Sequence, residues 1–223
     1  VFVFYQSYFV TEYERSQLAV LPLTNDTGDP SLEYIASGLR GEISGAISQI
    51  GSMAVISDTS LNFADTEKNT AAQVANTLGL DHLLLGQLDR EQGKISFKLY
   101  LFETMINSQK KIFSTTGSIE EILESREAII KSIIRNIDVP VSKVDETNAT
   151  RFGTMDLRAY EEFLKGDFSF KLRSSEGALA AKEHFEKALK LDPSFARPYR
   201  YLALTLSRSA NLNSSFELPS INK

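Results

Sequence analysis

Between Leu18 and Leu23 the chain is continuously apolar, and residues 24–30 that follow are a dense cluster of turn formers. That pattern predicts a strand buried on both faces. Asp29 then stands where a helix cap is needed, with Pro30 at the first helical position. Leu32, Ile35, Ala36, Leu39, Ile43, Ala46, Ile47 and Ile50 recur at three- and four-residue steps, which predicts one amphipathic helix closed by Gly51. A second strand is expected at residues 53–56 and a second helix near 70–78, ended by Gly79. Residues 82–88 read as a buried third strand, followed by a turn over 89–93. The run from Lys94 to Phe102 alternates apolar and polar residues, as a strand with one wet face does. After a turn at Asn107 and Ser108, a fifth strand is expected around 110–116. A third helix carries Ile119, Ile122, Leu123, Ile129, Ile130, Ile133, Ile134 and Ile137. The order βαβαβββα predicts an α/β (α+β) domain over residues 17–139. Its mixed five-stranded sheet has three parallel strands and two antiparallel ones.

Beyond Pro140 the pattern changes. Residues 140–155 read as a polar linker, and 156–210 as an all-α segment in which helices begin near Asp156 and Glu176. Ala181, Phe185, Ala188 and Pro193 fall at relative positions 0, 4, 7 and 12, the second half of a tetratricopeptide repeat. The small residues there let two helices close on each other. Tyr199, Leu202 and Ala203 hold the first-helix positions of a following repeat. About one and a half repeats are therefore expected, with Leu164 and Gly166 set about three residues too early in the first, and a polar tail over 211–223.

Residues 1–10 contain eight apolar or aromatic residues. Ten residues cannot span a bilayer, which takes about 20. The segment, with the rest of 1–16, is read either as an apolar arm packed on the domain or as the outer end of a transmembrane helix, with Tyr5 and Tyr8 at headgroup level.

The 223 residues carry a net charge of −5, two histidines and no cysteine. Disulfides and thiolate metal sites are excluded, and a basic stripe of the kind that binds nucleic acid is missing from the sequence. The loop 24–30 has one glycine, acidic residues and no lysine, unlike a phosphate-binding turn, and its spacing does not match a calcium loop. His82 opens a buried strand and His184 sits on a polar helix face, so both are expected to be structural. No cofactor is expected and no catalytic constellation is found. Two features are less ordinary. Gly38, Gly41 and Gly45 share one side of the first helix, where each glycine costs about 1 kcal/mol against alanine, which suggests a close approach or a docking face. In the second repeat, Arg197, Arg200, Leu204 and Ser207 would line a concave surface suited to a peptide carboxylate or an acidic side chain.

Residues 18–23 and 25–30, Tyr34, the step from Ala36 to Leu39, Ile43, Val55 to Ser57, and Leu78 to Gly86 together resemble the amino-terminal-like domain of TolB. The joining residues Ala159, Tyr160, Leu164, Lys165 and Gly166, followed by the repeat signature, are similar to bacterial membrane sensors that carry this domain before tetratricopeptide repeats. The sequence departs from that pattern at Leu23, often phenylalanine in the family, and at the additional Gly41. The resemblance implies a non-enzymatic sensing and protein- or peptide-interaction region on the periplasmic side of a bacterial inner membrane. In such proteins a cyclase or winged-helix effector precedes a membrane span. The other reading is an envelope assembly or scaffold protein that self-associates through its α/β domain.

Overall fold

The computed structural model describes residues 15–57, 60–61, 64–66 and 68–214, with backbone only over 209–214. The apolar arm 1–10 and the tail beyond Ser214 lie outside the described residues. Six strands form one sheet: β1 (Ser16–Val20), β2 (Thr24–Asn25), β3 (Met53–Val55), β4 (His82–Glu91), β5 (Lys94–Glu103) and β6 (Ser108–Gly117). The main path runs β3-β1-β4-β5-β6, which supplies the five strands expected, and the two-residue β2 pairs with β4 off that path. β1 is parallel to β3 and β4, while β4, β5 and β6 are antiparallel in sequence. β4 runs on to Glu91, and the turn is the two-residue one at Gln92 and Gly93, both with positive φ (51° and 79°), as a tight hairpin requires.

Alternation along the strands gives the sheet two apolar faces. Leu18, Val20, Leu84, Leu88, Phe97, Leu99 and Leu101 belong to the larger core, and Ala19, Leu21, Leu83 and Phe102 to a smaller one. The smaller core is closed by a short helix, α2 (Ala71–Leu78), on the face opposite α1 (Glu33–Ile47). Thr70 and Gln73 cap α2 reciprocally, and Gly79 ends it in the left-handed region at φ 63°. The larger core is covered by α1 (Glu33–Ile47) with α3 (Ile119–Glu124) and α4 (Arg126–Asn136). α1 stops three residues before the expected end, and Asp29 caps a single 3-10 turn (Pro30–Leu32) that leads into it. The expected third helix is two helices, interrupted at Ser125, whose hydroxyl donates to the Ile122 carbonyl at 2.6 Å.

The stretch read as a polar linker contains a helix, α5 (Lys143–Ala149), started by a capping box of Ser142 and Asp145. Then come α6 (Leu157–Lys171), α7 (Ser175–Leu191) and α8 (Ala196–Ser214). Short connections make α6 and α7 a helical hairpin, closed by Ala181, Phe185 and Ala188, all fully buried. A Cβ on Gly166 would sit 2.5 Å from the Phe185 ring, so only glycine lets the two backbones come this close. Phe163, Phe185, Phe195 and Tyr201 meet at ring-centroid distances of 5.2–5.9 Å and tie the start of α8 to the pair. The hairpin is not held apart from the sheet domain. α6 lies on α1, and one continuous apolar core runs from Leu18 to Phe195. Among the described residues, no helix is long and apolar enough to cross a membrane.

Candidate functional site

α1 is apolar where it faces the sheet, but Glu42 interrupts its buried side. The carboxylate is only 6% exposed and is met by Arg197 at the start of α8, in a two-pronged pair with Nη1 to Oε2 at 2.6 Å and Nη2 to Oε1 at 3.0 Å. Tyr160 of α6, fully buried, donates its hydroxyl to the same Oε2 at 3.1 Å. Burial, and after it the charge of Glu42, keeps that phenol well above its ordinary pKa, so it remains a donor. The Arg126 guanidinium lies 4.1 Å from the centroid of the Tyr160 ring and 4.6 Å from that of Phe152. A second link is the Tyr34 hydroxyl, which donates to Glu161 Oε1 at 2.7 Å and is raised in pKa by burial and then by that bond. A third is Leu164, seated on Gly38, where a Cβ would lie 2.6 Å from a leucine methyl.

These contacts lean α6 and the start of α8 against one side of α1 and leave a cleft of about 570 Å³ beside it. Its floor is Gly41, Gly45 and Ala46, and its walls carry Arg151, Arg197, Arg200 and Tyr201. Among the described residues, no atom beyond the helix's own backbone and the neighbouring residues comes within 4 Å of where a Cβ on Gly41 or Gly45 would stand, so both glycines leave the α1 backbone open to the cleft.

Among the described residues, four cations and two carboxylates line this cleft. Glu42 is taken by Arg197, and Asp167 by Lys171 at 2.7 Å. Among the described residues neither Arg151 nor Arg200 has a carboxylate partner; the Arg200 guanidinium is 5.8 Å from the Tyr201 ring. Two uncompensated guanidinium groups beside an open helix backbone suit an anionic group that also needs hydrogen-bond donors.

The structure therefore brings together features that lie far apart in sequence, the glycines of α1 and the arginines of α8. It also divides each group. Gly38 is filled by the protein's own Leu164, whereas Gly41 and Gly45 are open. Arg197 is held in the Glu42 pair and so has a structural task, while Arg200 is exposed toward the cleft. Leu204 and Ser207 are exposed further along α8 and do not line it. Arg151, Lys171 and Tyr201 were not among the residues singled out by sequence. The one local signal was Glu42, a carboxylate set among Leu39, Ile43 and Ala46 on an apolar stripe.

The two histidines lie outside the cleft. His184 Nδ1 is 2.9 Å from Glu162 Oε2 across the α6–α7 pair. His82 is buried at the start of β4, and its Nδ1 has no partner among the described residues. Burial is the main influence on it and lowers its pKa from the ordinary 6.5. Among the described residues no three His, Asp or Glu side chains are placed to hold a metal ion.

No protein-family model matches the chain. A putative adenylate cyclase 3 from Rhizobium meliloti (strain 1021) is 22% identical over 191 residues, 85% of this chain and 32% of that protein. The chain thus spans about a third of the length of this curated relative. Among solved structures, TolB from Acinetobacter baumannii is 13% identical with a TM-score of 0.39, over 54% of this chain and 28% of that one. The LpoB C-terminal domain from Escherichia coli is 16% identical with a TM-score of 0.36, over 46% and 80% of the two chains. Lipoprotein GNA1162 from Neisseria meningitidis is 14% identical with a TM-score of 0.36, over 56% and 99%.

Proposed function

We propose that this chain is a non-catalytic, protein-binding sensory region of a longer, membrane-anchored bacterial regulator, and that its cleft takes an acidic peptide segment. The observation that carries the reading is the meeting of Gly41 and Gly45 in one cleft with Arg151 and Arg200, neither of which has a carboxylate partner among the described residues. Both carboxylates there are already ion-paired, so the cleft's free charge is positive and its ligand should be negative. An extended peptide can lie along the bare α1 backbone while its carboxylates meet the two guanidinium groups.

Two further points support the wider setting. The curated relative named as a cyclase aligns through a third of its length, so a cyclase activity has room elsewhere in a protein of that kind. The α6–α7 hairpin, closed at Ala181, Phe185 and Ala188 with Gly166 opposite, has the small-residue packing of a tetratricopeptide unit, and α8 continues as the first helix of another. Stacks of such units commonly present extended binding surfaces for other chains.

The test is fluorescence anisotropy with a panel of labelled acidic peptides, each made with a free and an amidated carboxyl terminus. Arg151→Glu with Arg200→Glu should weaken binding by at least about tenfold, the loss expected from charge-assisted hydrogen bonds. Gly41→Leu, which keeps the charges and fills the floor, should weaken it as well. Equal binding by the native chain and the charge-reversed variant would refute the reading, and so would a panel in which no acidic peptide binds.

A further inference from the structure

The pole of the sheet opposite the strand ends that lead toward α1 and α2 has an unusual tip. The β5–β6 connection turns over residues 104–107, with the Asn107 N–H donating to the Thr104 carbonyl at 3.1 Å. Turn corners favour Gly, Asn, Asp and Pro, yet here they are Met105 and Ile106, 97% and 63% exposed. Two large apolar side chains side by side at the outermost point of a rigid hairpin gain nothing from the fold.

The same pole is where the chain enters. Asp81 binds it together: its carboxylate accepts from the Gln17 N–H at 2.8 Å, and its carbonyl accepts from the Thr104 N–H at 3.0 Å. Arg15, Asp81, His82, Glu103, Met105 and Ile106 line one hollow of about 740 Å³ there. Just before Arg15 come residues 1–10, eight of them apolar or aromatic. Five residue steps separate Val10 from Arg15, so the apolar segment lies at most about 18 Å along the chain from this pole.

We infer that this pole faces a lipid bilayer and that Met105 and Ile106 insert into its interfacial region, so that the hairpin tip is a second point of membrane contact beside the amino-terminal segment. The inference rests on the membrane-anchored part of the function proposed above and is independent of what the cleft binds. The occupant is lipid because the exposed pair stands at the pole to which the most apolar stretch of the sequence is tethered by a short connection, and a bilayer accepts both at once. Charge does not drive the contact. Glu103 is paired with Lys110 at 2.7 Å, and Arg15 stands near Asp81 and Asp138 without an excess of positive charge. Contact should therefore form on zwitterionic lipid and gain little from anionic lipid.

The protein has no tryptophan, so Met105→Trp places a single reporter at the tip. With the full chain on phosphatidylcholine vesicles, the expected result is a blue-shifted emission quenched by brominated acyl chains. A vesicle flotation assay on the same sample reads anchoring separately. Paired Met105→Asp and Ile106→Asp, at positions that touch no core, should lower the floated fraction's partition coefficient at least about tenfold, as loss of two buried apolar side chains requires. If the chain floats while the tryptophan stays water-exposed, the tip inference is overturned and anchoring stands. If the chain does not float, the tip inference is overturned, and the anchoring of a longer protein rests on the residues that protein adds. A blue shift without vesicles also overturns it: the amino-terminal segment covers the tip if the shift is independent of protein concentration, and a second copy covers it if the shift grows with concentration.

Discussion

The three glycines of α1 offer a quantitative check on how the hairpin sits against the sheet domain. In a helix interior, glycine to alanine gains about 0.8–1 kcal/mol through the backbone alone. At Gly41 and Gly45 the new methyl would meet no atom within 4 Å, so that gain should appear in full. Each variant should then melt about 2–4 °C higher, the shift expected for a chain of this size. Gly38 has the same backbone gain available, but its methyl would stand 2.6 and 2.8 Å from the two methyls of Leu164. Leu164 is itself buried and has little room to yield, and overpacking of this kind costs about 1–3 kcal/mol. Gly38→Ala should therefore fall below Gly41→Ala by about 1–3 kcal/mol, although both are the same change on one helix. Urea unfolding of the three single variants, followed by far-UV circular dichroism, measures the series directly. If Gly38→Ala is the most stable of the three, or Gly41→Ala is destabilised, α6 does not rest on α1 as described and the cleft is lost with it.

Two smaller effects can be measured in the same way. Asp156 caps α6 by accepting from the Arg158 and Ala159 N–H groups, so Asp156→Ala should cost about 1 kcal/mol in urea unfolding at neutral pH. Its backbone bonds, chiefly that from Ala159, hold its pKa below the ordinary 3.8, so the contribution is present above that value and lost as pH falls through the lower folded one. His82 behaves with the same sign. Burial holds its folded pKa below 6.5, so below pH 6.5 the unfolded chain takes up a proton that the folded one does not, and stability declines. His82→Gln should flatten that decline below about pH 6.5, and an unchanged slope would show that His82 is not its source.

Local signals predicted local structure well. The helix expected near residues 70–78 and ended by Gly79 is α2, which the structure caps at its start with Thr70 and Gln73. The continuous run from Leu18 predicted a strand buried on both faces, as β1 is, whereas the wet face expected for β5 is closed: Ser96 is fully buried and Phe102 belongs to the smaller core. Breaks caused by distant partners were not visible. The isoleucine periodicity runs on through Ser125, but the next residue, Arg126, is buried between the rings of Phe152 and Tyr160. α5 was missed because residues 143–149 have no apolar period, and its only mark is the capping pair Ser142 and Asp145. The cleft was half legible. Gly41, Gly45 and Arg200 each stood out, but on segments that nothing in the local pattern connects. Leu164 on Gly38 and Arg197 on Glu42 bring them together, and such long-range pairings leave only faint traces, such as one carboxylate on an apolar stripe.

The core that runs without a break from Leu18 to Phe195 has a consequence for how the molecule comes apart. α1 presents one side to the sheet and another to α6, so neither half can unfold without stripping an apolar surface from the other. Sheet and helices should then share one cooperative transition, and a ligand seated beside α1 would raise the melting of β-strands it never touches. A helical array that continued beyond α8 would be clamped to the sheet domain chiefly through this helix, with Arg126 of α4 stacked on Tyr160 of α6 as a second hold.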